Sequence, residues 1–178
     1  MATDEPKVEA ATPALAKKDT FRILIVDNVE HTDQLAEACK NAGHSVVAAH
    51  SIIEAFDFLD GHDHADVIIC AAYLQDESVF EFLTRLRKDP LHNDCMFMIL
   101  ALAPGPVGVK LNETVEVAGR ALGSDAFISM PQFDAEVLIA EIKKLLPHVP
   151  KLERHRLEDL DAESWDKSLP EPHPSTKE

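Results

Sequence analysis

The residues best suited to chemistry lie where apolar runs of this sequence end. Asp27 and Asn28 follow the run RILIV, and the run DVIIC ends at Cys70. A carboxylate at such a position can bind a divalent cation or accept a phosphoryl group, and a cysteine thiolate can act as a nucleophile. In DVIICAAYLQD, however, Cys70 is followed by Ala71 and Ala72. The sequence therefore offers an acidic residue after the first of these runs and none directly after the other.

Strand-like and helix-like segments alternate along the chain. The strand-like segments are short, apolar and rich in β-branched residues, as in strands buried on both faces of a parallel sheet. They are RILIVD, HSVVAAH, ADVIICA, MFMILALA and DAFISM. The helix-like segments are HTDQLAEACKNAG, SIIEAFDFLDG, VFEFLTRLRKD, NETVEVAGRALG and DAEVLIAEIKKLL. This order predicts an α/β fold of the (βα)5 type, a doubly wound, flavodoxin-like sheet of five parallel strands, with functional groups at the carboxyl ends of the strands.

Capping residues set the predicted helix boundaries. Gly43 suits the left-handed position after the first helix, and Ser51 is an N-cap for the second. Asn112 and Gly123 bound the fourth helix. The preceding stretch APGPVGVKLNE contains Pro-Gly-Pro, which predicts a stiff, extended loop over residues 103–113.

Composition divides the chain into a folded core and two tails. Residues 1–20 and 148–178 lack a helical or strand period, so we expect flexible tails around one domain over residues 21–147. The formal net charge is -15, and residues 21–146 carry 9 basic and 20 acidic residues. Such a charge disfavours binding to nucleic acid or to anionic lipid. The three cysteines lack metal-site spacing and fit free thiols in a cytoplasmic protein.

Four segments carry a resemblance to a known family. ILIVDN, DVIICAAYLQDESVFEFLTRLR, MILALA and GSDAFISMPQFD resemble the receiver domain of bacterial response regulators (the CheY-like fold), and the match covers residues 21–146. In that family an acidic pair ends the first strand, and a phosphate-accepting Asp ends the third. A Thr or Ser ends the fourth strand, and a Lys before a cis-Pro ends the fifth.

The resemblance implies a degenerate site, because most of these reactive residues are replaced. In chain order the family positions fall on Asp27, Asn28, Ala71, Ala101, Met130 and Pro131. Phosphoryl transfer to a carboxylate needs a nucleophile, a cation held by oxygen ligands and a positive charge near the phosphate. Here a methyl group replaces the nucleophile and a thioether replaces the lysine. We therefore expect no catalysis, no cofactor and no bound metal.

Other reactive groups remain as alternatives. Asp76 could be an unrecognised phosphate acceptor, although it lies in the loop after the third strand. Cys70 could be a thiol nucleophile, but a buried strand thiol is ordinarily a packing residue. Asp27 alone carries too little charge for useful Mg²⁺ affinity. The HDH stretch at 62–64 could bind a metal, although such clusters are usually solvated.

The leading hypothesis is a single-domain, degenerate receiver of two-component-type signalling that binds a protein partner without aspartyl phosphorylation. The partner would be a histidine kinase or another signalling protein. In the receiver family, the usual contact surface is formed by the fourth helix, the fifth strand and the fifth helix. On that surface the candidate residues are Glu116, Arg120 and Phe127. Phe127 falls where receivers commonly carry an aromatic switch residue, and simple core packing is an equal alternative.

Two other function classes stay open. One is an ordinary phosphorelay response regulator that uses an unrecognised acceptor. The other is a flavin- or cobalamin-type binding domain of the same topology. Against the latter, no Ser/Thr/Gly-rich phosphate loop follows the first strand and no Asp-x-His-x-x-Gly motif is present.

Overall fold

The computed structural model of the chain describes residues 20–61, 64–145 and 147. The predicted alternation of five strands with five helices is confirmed. The elements are β1 (Arg22–Val26), α1 (Val29–Asn41), β2 (Ser45–Ala49), α2 (Ile52–Asp60), β3 (Val67–Ala71), α3 (Val79–Lys88), β4 (Met96–Leu102), α4 (Gly105–Ala121), β5 (Ala126–Met130) and α5 (Ala135–Leu145). The predicted tails fall outside the described residues, apart from Thr20.

The strands form one parallel sheet in the order β2-β1-β3-β4-β5. Because consecutive parallel strands need crossover helices, the helices cover both faces of the sheet. The carboxyl ends of all five strands lie at one edge, and the helices end near the opposite edge. The prediction of a doubly wound (βα)5 sheet is therefore confirmed.

Two apolar layers enclose the sheet. On one face, Leu24 and Ile68 of the sheet belong to a cluster that includes Phe56 and Phe82 of α2 and α3. On the other face, the cluster joins residues of β1, β3, β4 and β5 to α1 and α5. Cys39 of α1 is fully buried in this second cluster. Alternate residues of each strand thus point to opposite layers.

Local capping explains two of the helix boundaries. The Ser51 Oγ accepts a hydrogen bond from the Glu54 N–H at 3.1 Å, which confirms the predicted N-cap of α2. Gly43 has a φ of 93°, the left-handed conformation predicted after α1. The chain can therefore turn directly from α1 into β2.

The predicted start of the fourth helix is wrong. The stretch expected to be an extended loop forms the first two turns of α4, which begins at Gly105 rather than at Asn112. Pro106 occupies the second helical position, where the backbone N–H has no intrahelical partner and the fixed proline φ is compatible with a helix. Only Ala103 and Pro104 connect β4 to α4, and Ala103 makes the turn with a φ of 46°.

Gly119 allows α4 to pack closely on the sheet. A Cβ atom at Gly119 would lie 2.5 Å from the Ile99 Cδ1 and 3.1 Å from the Ser124 Oγ, and Ile99 is fully buried. We expect Gly119→Ala to lower the free energy of unfolding, because overpacking costs about 1–3 kcal/mol while the gain in helix propensity is about 1 kcal/mol.

Urea unfolding of the two proteins measures this difference. Val117→Ala in the same helix is the control, because Val117 is exposed and its truncation should change stability by no more than about 0.5 kcal/mol. A Gly119→Ala variant at least as stable as the parent chain would mean that Ile99 moves aside without cost.

Candidate functional site

The candidate site lies at the carboxyl edge of the sheet and is called here the strand-end site. It consists of the family positions of the resemblance: Asp27, Asn28, Ala71, Ala101, Met130 and Pro131. The register pairs β1 with β3 up to Val26 and Cys70, and it pairs β4 with β5 up to Leu102 and Met130. The four strand ends are therefore next to one another along this edge, as the sequence predicted.

Asp27 is the acidic residue of the strand-end site, and it is 2% exposed. Its Oδ1 accepts a hydrogen bond from the Asn28 N–H at 2.7 Å. The Nδ1 of His31 lies 3.2 Å from the same oxygen. The Asp27 carbonyl oxygen is 3.3 Å from the Nδ1 of His50. Asp27 thus has partners within the protein, and two of them are histidines that sequence reasoning did not connect to it.

Burial is the dominant influence on the Asp27 carboxyl. Desolvation raises the pKa of Asp27 above its ordinary value of 3.8, although the Asn28 N–H and the His31 ring act in the opposite direction. The charged form is thus less favourable here than in water. A site built to hold a cation would instead gather further carboxylates around this position.

Asn28 has a structural role at the start of α1. Its Oδ1 accepts a hydrogen bond from the His31 N–H at 3.0 Å, so Asn28 is the N-cap of the helix. The Asn28 Nδ2 also lies 3.3 Å from the Nδ1 of His31. Asparagine and aspartate cap helices about equally well, so the cap does not require a charge.

The remaining strand-end positions are apolar. Ala71, Ala101 and Met130 are all buried, and each belongs to the core or lines it. Pro131 is exposed, and the peptide bond that precedes it is trans. Methyl groups and a thioether offer neither a nucleophile for phosphate nor a positive charge to stabilise it.

The two alternative nucleophiles have different surroundings. Cys70 is fully buried, and burial raises the pKa of its thiol well above the usual 9.0, with the Asp27 and Glu77 carboxylates adding to this effect. The thiol therefore stays protonated, as a packing residue does. Asp76 lies in the exposed loop after β3, with a φ of 60°.

Glu77 links the loop after β3 to α2, a connection that the sequence did not reveal. Its two carboxylate oxygens lie 3.1 and 2.9 Å from the Ile52 N–H, at the N-terminus of α2. A carboxylate is favoured there by the unpaired N–H groups and the helix dipole. Glu77 is therefore engaged as a helix cap beside the strand-end site.

A chain of hydrogen bonds ties α4 to the sheet. The Tyr73 hydroxyl lies 2.9 Å from the carbonyl oxygen of Gly108 and 3.2 Å from the Oδ1 of Asn112. The Asn112 Nδ2 donates to the Oγ of Ser129 at 2.7 Å. The missing side chain of Gly108 leaves room for Tyr73, because a Cβ there would lie 3.2 Å from the Tyr73 Cε2. The β3–α3 loop, α4 and β5 are thus held together by polar contacts.

The three candidate residues for partner binding differ in their surroundings. Glu116 and Arg120 form an ion pair one turn apart on α4, with 2.8 Å between the Oε1 and the Nη2, and the Arg120 side chain is 75% exposed. Phe127 of β5 is half-buried and packs against the core layer under α2, α3 and α4. Val109 and Val117 are exposed apolar residues of the same helix.

The HDH stretch is only partly visible, because His62 and Asp63 lie outside the described residues. The His64 Nε2 is 3.9 Å from the Oδ1 of Asp66. The prediction that this stretch does not bind a metal therefore stays a prediction.

Solved structures similar to this chain include response regulators and receiver domains. CheY4, a chemotaxis response regulator of Vibrio cholerae, is 20% identical with a TM-score of 0.60, over 71% of this chain and 99% of that chain. The receiver domain of a signal transduction histidine kinase from Syntrophus aciditrophicus is 24% identical with a TM-score of 0.61, over 76% and 96%. A two-component response regulator from Clostridium difficile is 19% identical with a TM-score of 0.59, over 72% and 97%.

These likenesses show that the chain has the CheY-like fold. No protein-family model matches the sequence, and no curated protein matches it either. Within the described part of the chain, no helix has the length and apolar character that crossing a membrane requires.

The buried carboxyl of Asp27 gives a prediction about stability. Its raised pKa means that the folded state binds this proton more tightly than the unfolded state does. The resulting cost is absent below pH 3.8 and complete above the raised pKa. Asp27→Asn removes the charge and keeps an Oδ1 acceptor for the Asn28 N–H. We expect the variant to be more stable at pH 7 by about 0.5–2 kcal/mol.

Urea unfolding at several pH values between 4 and 7 measures this effect. The advantage of Asp27→Asn should shrink as the pH falls, because the parent carboxyl then becomes neutral. Asp33→Asn, at an exposed position of α1, is the matched control and should show little of this pH dependence. A variant less stable than the parent chain at pH 7 would show that the attraction between Asp27 and His31 outweighs the cost of burial.

Proposed function

We propose that this chain is a non-catalytic signalling module of the receiver type, which binds a protein partner without being phosphorylated on an aspartate. The observation that carries the proposal is the buried methyl group of Ala71 at the end of the central strand β3. In the receiver fold, this position is the one that the resemblance assigns to the phosphate acceptor. The similar solved structures support the signalling class by their names as response regulators and receiver domains.

The chemistry of the whole edge supports the same proposal. An acyl phosphate forms only if a carboxylate attacks phosphorus while cations stabilise the transferring group. Ala71 supplies no carboxylate, and Met130 supplies no positive charge. Asp27 is already engaged with Asn28 and His31. Restoring one of these groups would leave the others absent.

A receiver without phosphorylation would present one surface constitutively. In a two-state protein, a ligand or modification shifts the equilibrium only by its differential affinity for the two states. The hydrogen bonds from Tyr73 and Asn112 connect α4 to the β3–α3 loop and to β5. The arrangement favours a fixed binding surface over one that is switched at the strand ends.

The outer surface of α4 is the part of the molecule that best fits a partner. It combines the Glu116–Arg120 ion pair with the exposed apolar side chains of Val109 and Val117. Apolar anchors surrounded by polar groups are typical of protein-binding surfaces. The net charge of -15 makes nucleic acid an unfavourable partner.

Phosphorylation can be tested directly. Incubation with acetyl phosphate and Mg²⁺, or with a phosphorylated histidine kinase, should leave the mass of the protein unchanged, while a receiver with an intact acceptor gains a phosphoryl group in the same reaction. Ala71→Asp should remain a poor acceptor, because Asn28, Ala101 and Met130 still lack the required groups. A stoichiometric, hydroxylamine-sensitive acyl phosphate on the unaltered chain would overturn the proposal in favour of an ordinary response regulator.

Partner binding can be tested by reversing charges on α4. Glu116→Lys and Arg120→Glu should each weaken capture of a partner from the native host by about 1 kcal/mol or more. The double variant restores an ion pair of opposite order within the helix, so it separates surface charge from helix stability. We expect the double variant to bind as poorly as the single variants.

Glu37→Lys is the control, because Glu37 is an exposed residue of α1, away from the proposed surface. It should leave capture unchanged. Recovery of binding in the double variant would assign the effect to helix stability. Loss of binding only in Glu37→Lys would move the contact surface to α1.

A further inference from the structure

A second group of chemically competent side chains lies where α2 and α3 end. Asp60 is the last residue of α2, Asp89 follows α3, and His92 lies in the connection to β4. Each offers one ligand atom, and these atoms all lie within 4.8 Å of one another. Because helices in this fold end near the edge where the strands begin, the group is at the opposite edge from the strand-end site.

His92 is the most informative member of this group. It is 8% exposed, yet within the described residues its ring forms no hydrogen bond and no ion pair. The ring nitrogens themselves keep some contact with solvent, so an incoming ion could reach them. A ring nitrogen instead lies within 4.8 Å of one oxygen each of Asp60 and Asp89. The structure thus places a largely buried imidazole, which has no hydrogen-bond partner among the described residues, beside two carboxylates.

A local turn sets the geometry of the other two ligands. The Asp89 Oδ1 accepts a hydrogen bond from the Leu91 N–H at 2.9 Å, and the Asp89 carbonyl accepts one from the His92 N–H at 3.2 Å. These two bonds place Asp89 and His92 on one side of the turn. Asp60 approaches from the end of α2, so the group joins two separate parts of the chain.

Two helix C-termini and three basic side chains in the last turn of α3, Arg85, Arg87 and the exposed Lys88, set the electrostatics at this place. Asp60 and Asp89 stand at helix C-termini, where the helix dipole already contributes negative potential, and α2 has no basic residue in its last turn. Near the end of α3, Arg87 is bound to the carbonyl oxygens of Gly123, Asn93 and Cys95 and to Asp125. Arg85 stacks on the ring of Phe56 at 3.6 Å. Both arginines are therefore engaged elsewhere.

We propose that Asp60, Asp89 and His92 bind a divalent first-row transition metal ion of the zinc class. One imidazole nitrogen with two carboxylate oxygens suits Zn²⁺ or Co²⁺, whereas Mg²⁺ and Ca²⁺ prefer oxygen ligands throughout. Water would complete the coordination. The ion would fasten the end of α2 to the turn between α3 and β4.

The experiment titrates the full chain, freed of metal by a chelator, with Zn²⁺ alone against a chromogenic competitor. We expect one tightly bound ion per chain. Asp60→Asn should weaken its binding by about tenfold or more, the scale seen when metal-site residues are changed. Asp60 is exposed, so this variant should fold normally. Asp89→Asn should weaken Zn²⁺ binding to a similar extent. Its amide oxygen can still accept the hydrogen bond from the Leu91 N–H, so the turn should stay intact.

Two control variants test whether Zn²⁺ binding depends on these three side chains. Asp57→Asn removes a carboxylate charge from an exposed position one turn earlier in α2. His64→Asn removes the last histidine of the HDH stretch. Both should bind Zn²⁺ about as tightly as the parent chain, because neither change removes a proposed ligand. His92→Gln should lose binding, and circular dichroism shows whether it folds. If it does not fold, the Zn²⁺ affinities of Asp60→Asn and Asp89→Asn test the proposal instead.

Thermal unfolding gives a second readout. Saturating Zn²⁺ should raise the Tm of the parent chain and of both controls, because an ion that binds only the folded state stabilises it. It should not raise the Tm of Asp60→Asn. The absence of Zn²⁺ binding in the parent chain would overturn the proposal. So would undiminished binding in Asp60→Asn and Asp89→Asn, equal weakening in Asp57→Asn, or loss of binding only in His64→Asn.

Discussion

The burial of β3 on both faces is the constraint on which the rest of the structure depends. All five residues of this strand are buried, and it pairs with β1 on one side and β4 on the other. Any polar group at its end must therefore be satisfied by neighbouring strand ends or by water above the sheet. Cys70 and Ala71 avoid that requirement altogether, since neither brings a charge into the layer. The apolar strand end also leaves Asp27 as the charged residue among the positions of the strand-end site.

Asp27 has its partners in the turn and the helix that follow it. The Asn28 N–H and the His31 ring both contact its Oδ1, and the Asn28 side chain caps the same helix. The turn between β1 and α1 is therefore ordered by a carboxylate, an amide and an imidazole within five consecutive residues. This arrangement explains why a carboxylate at this position is compatible with an edge that otherwise lacks charged ligands.

The sequence predicted those features that depend on local periodicity. Alternating buried runs and capping residues such as Ser51 and Gly43 identify the elements, because strand and helix periods are properties of neighbouring residues. The start of α4 was mispredicted because prolines and a glycine usually interrupt helices, whereas Pro106 falls in the first turn, where it is tolerated. Contacts between distant segments could not be predicted in this way. Glu77 caps a helix that begins 25 residues earlier, and Tyr73 reaches Asn112 across 39 residues, so each pair depends on how the loop after β3 meets a distant helix.

The helix α3 connects the two chemically distinct edges of the molecule. It begins after the loop that carries Glu77 and ends at Lys88, just before Asp89 and close to His92. Between these ends, Phe82 packs edge-on against Phe56 at 5.1 Å and against Phe97 at 5.5 Å. Close-packed aromatic contacts of this kind resist small displacements, because a shift of one ring requires the others to move. The two edges are therefore linked through a rigid core, and a shift of α3 at one edge would reach the other only by repacking these rings.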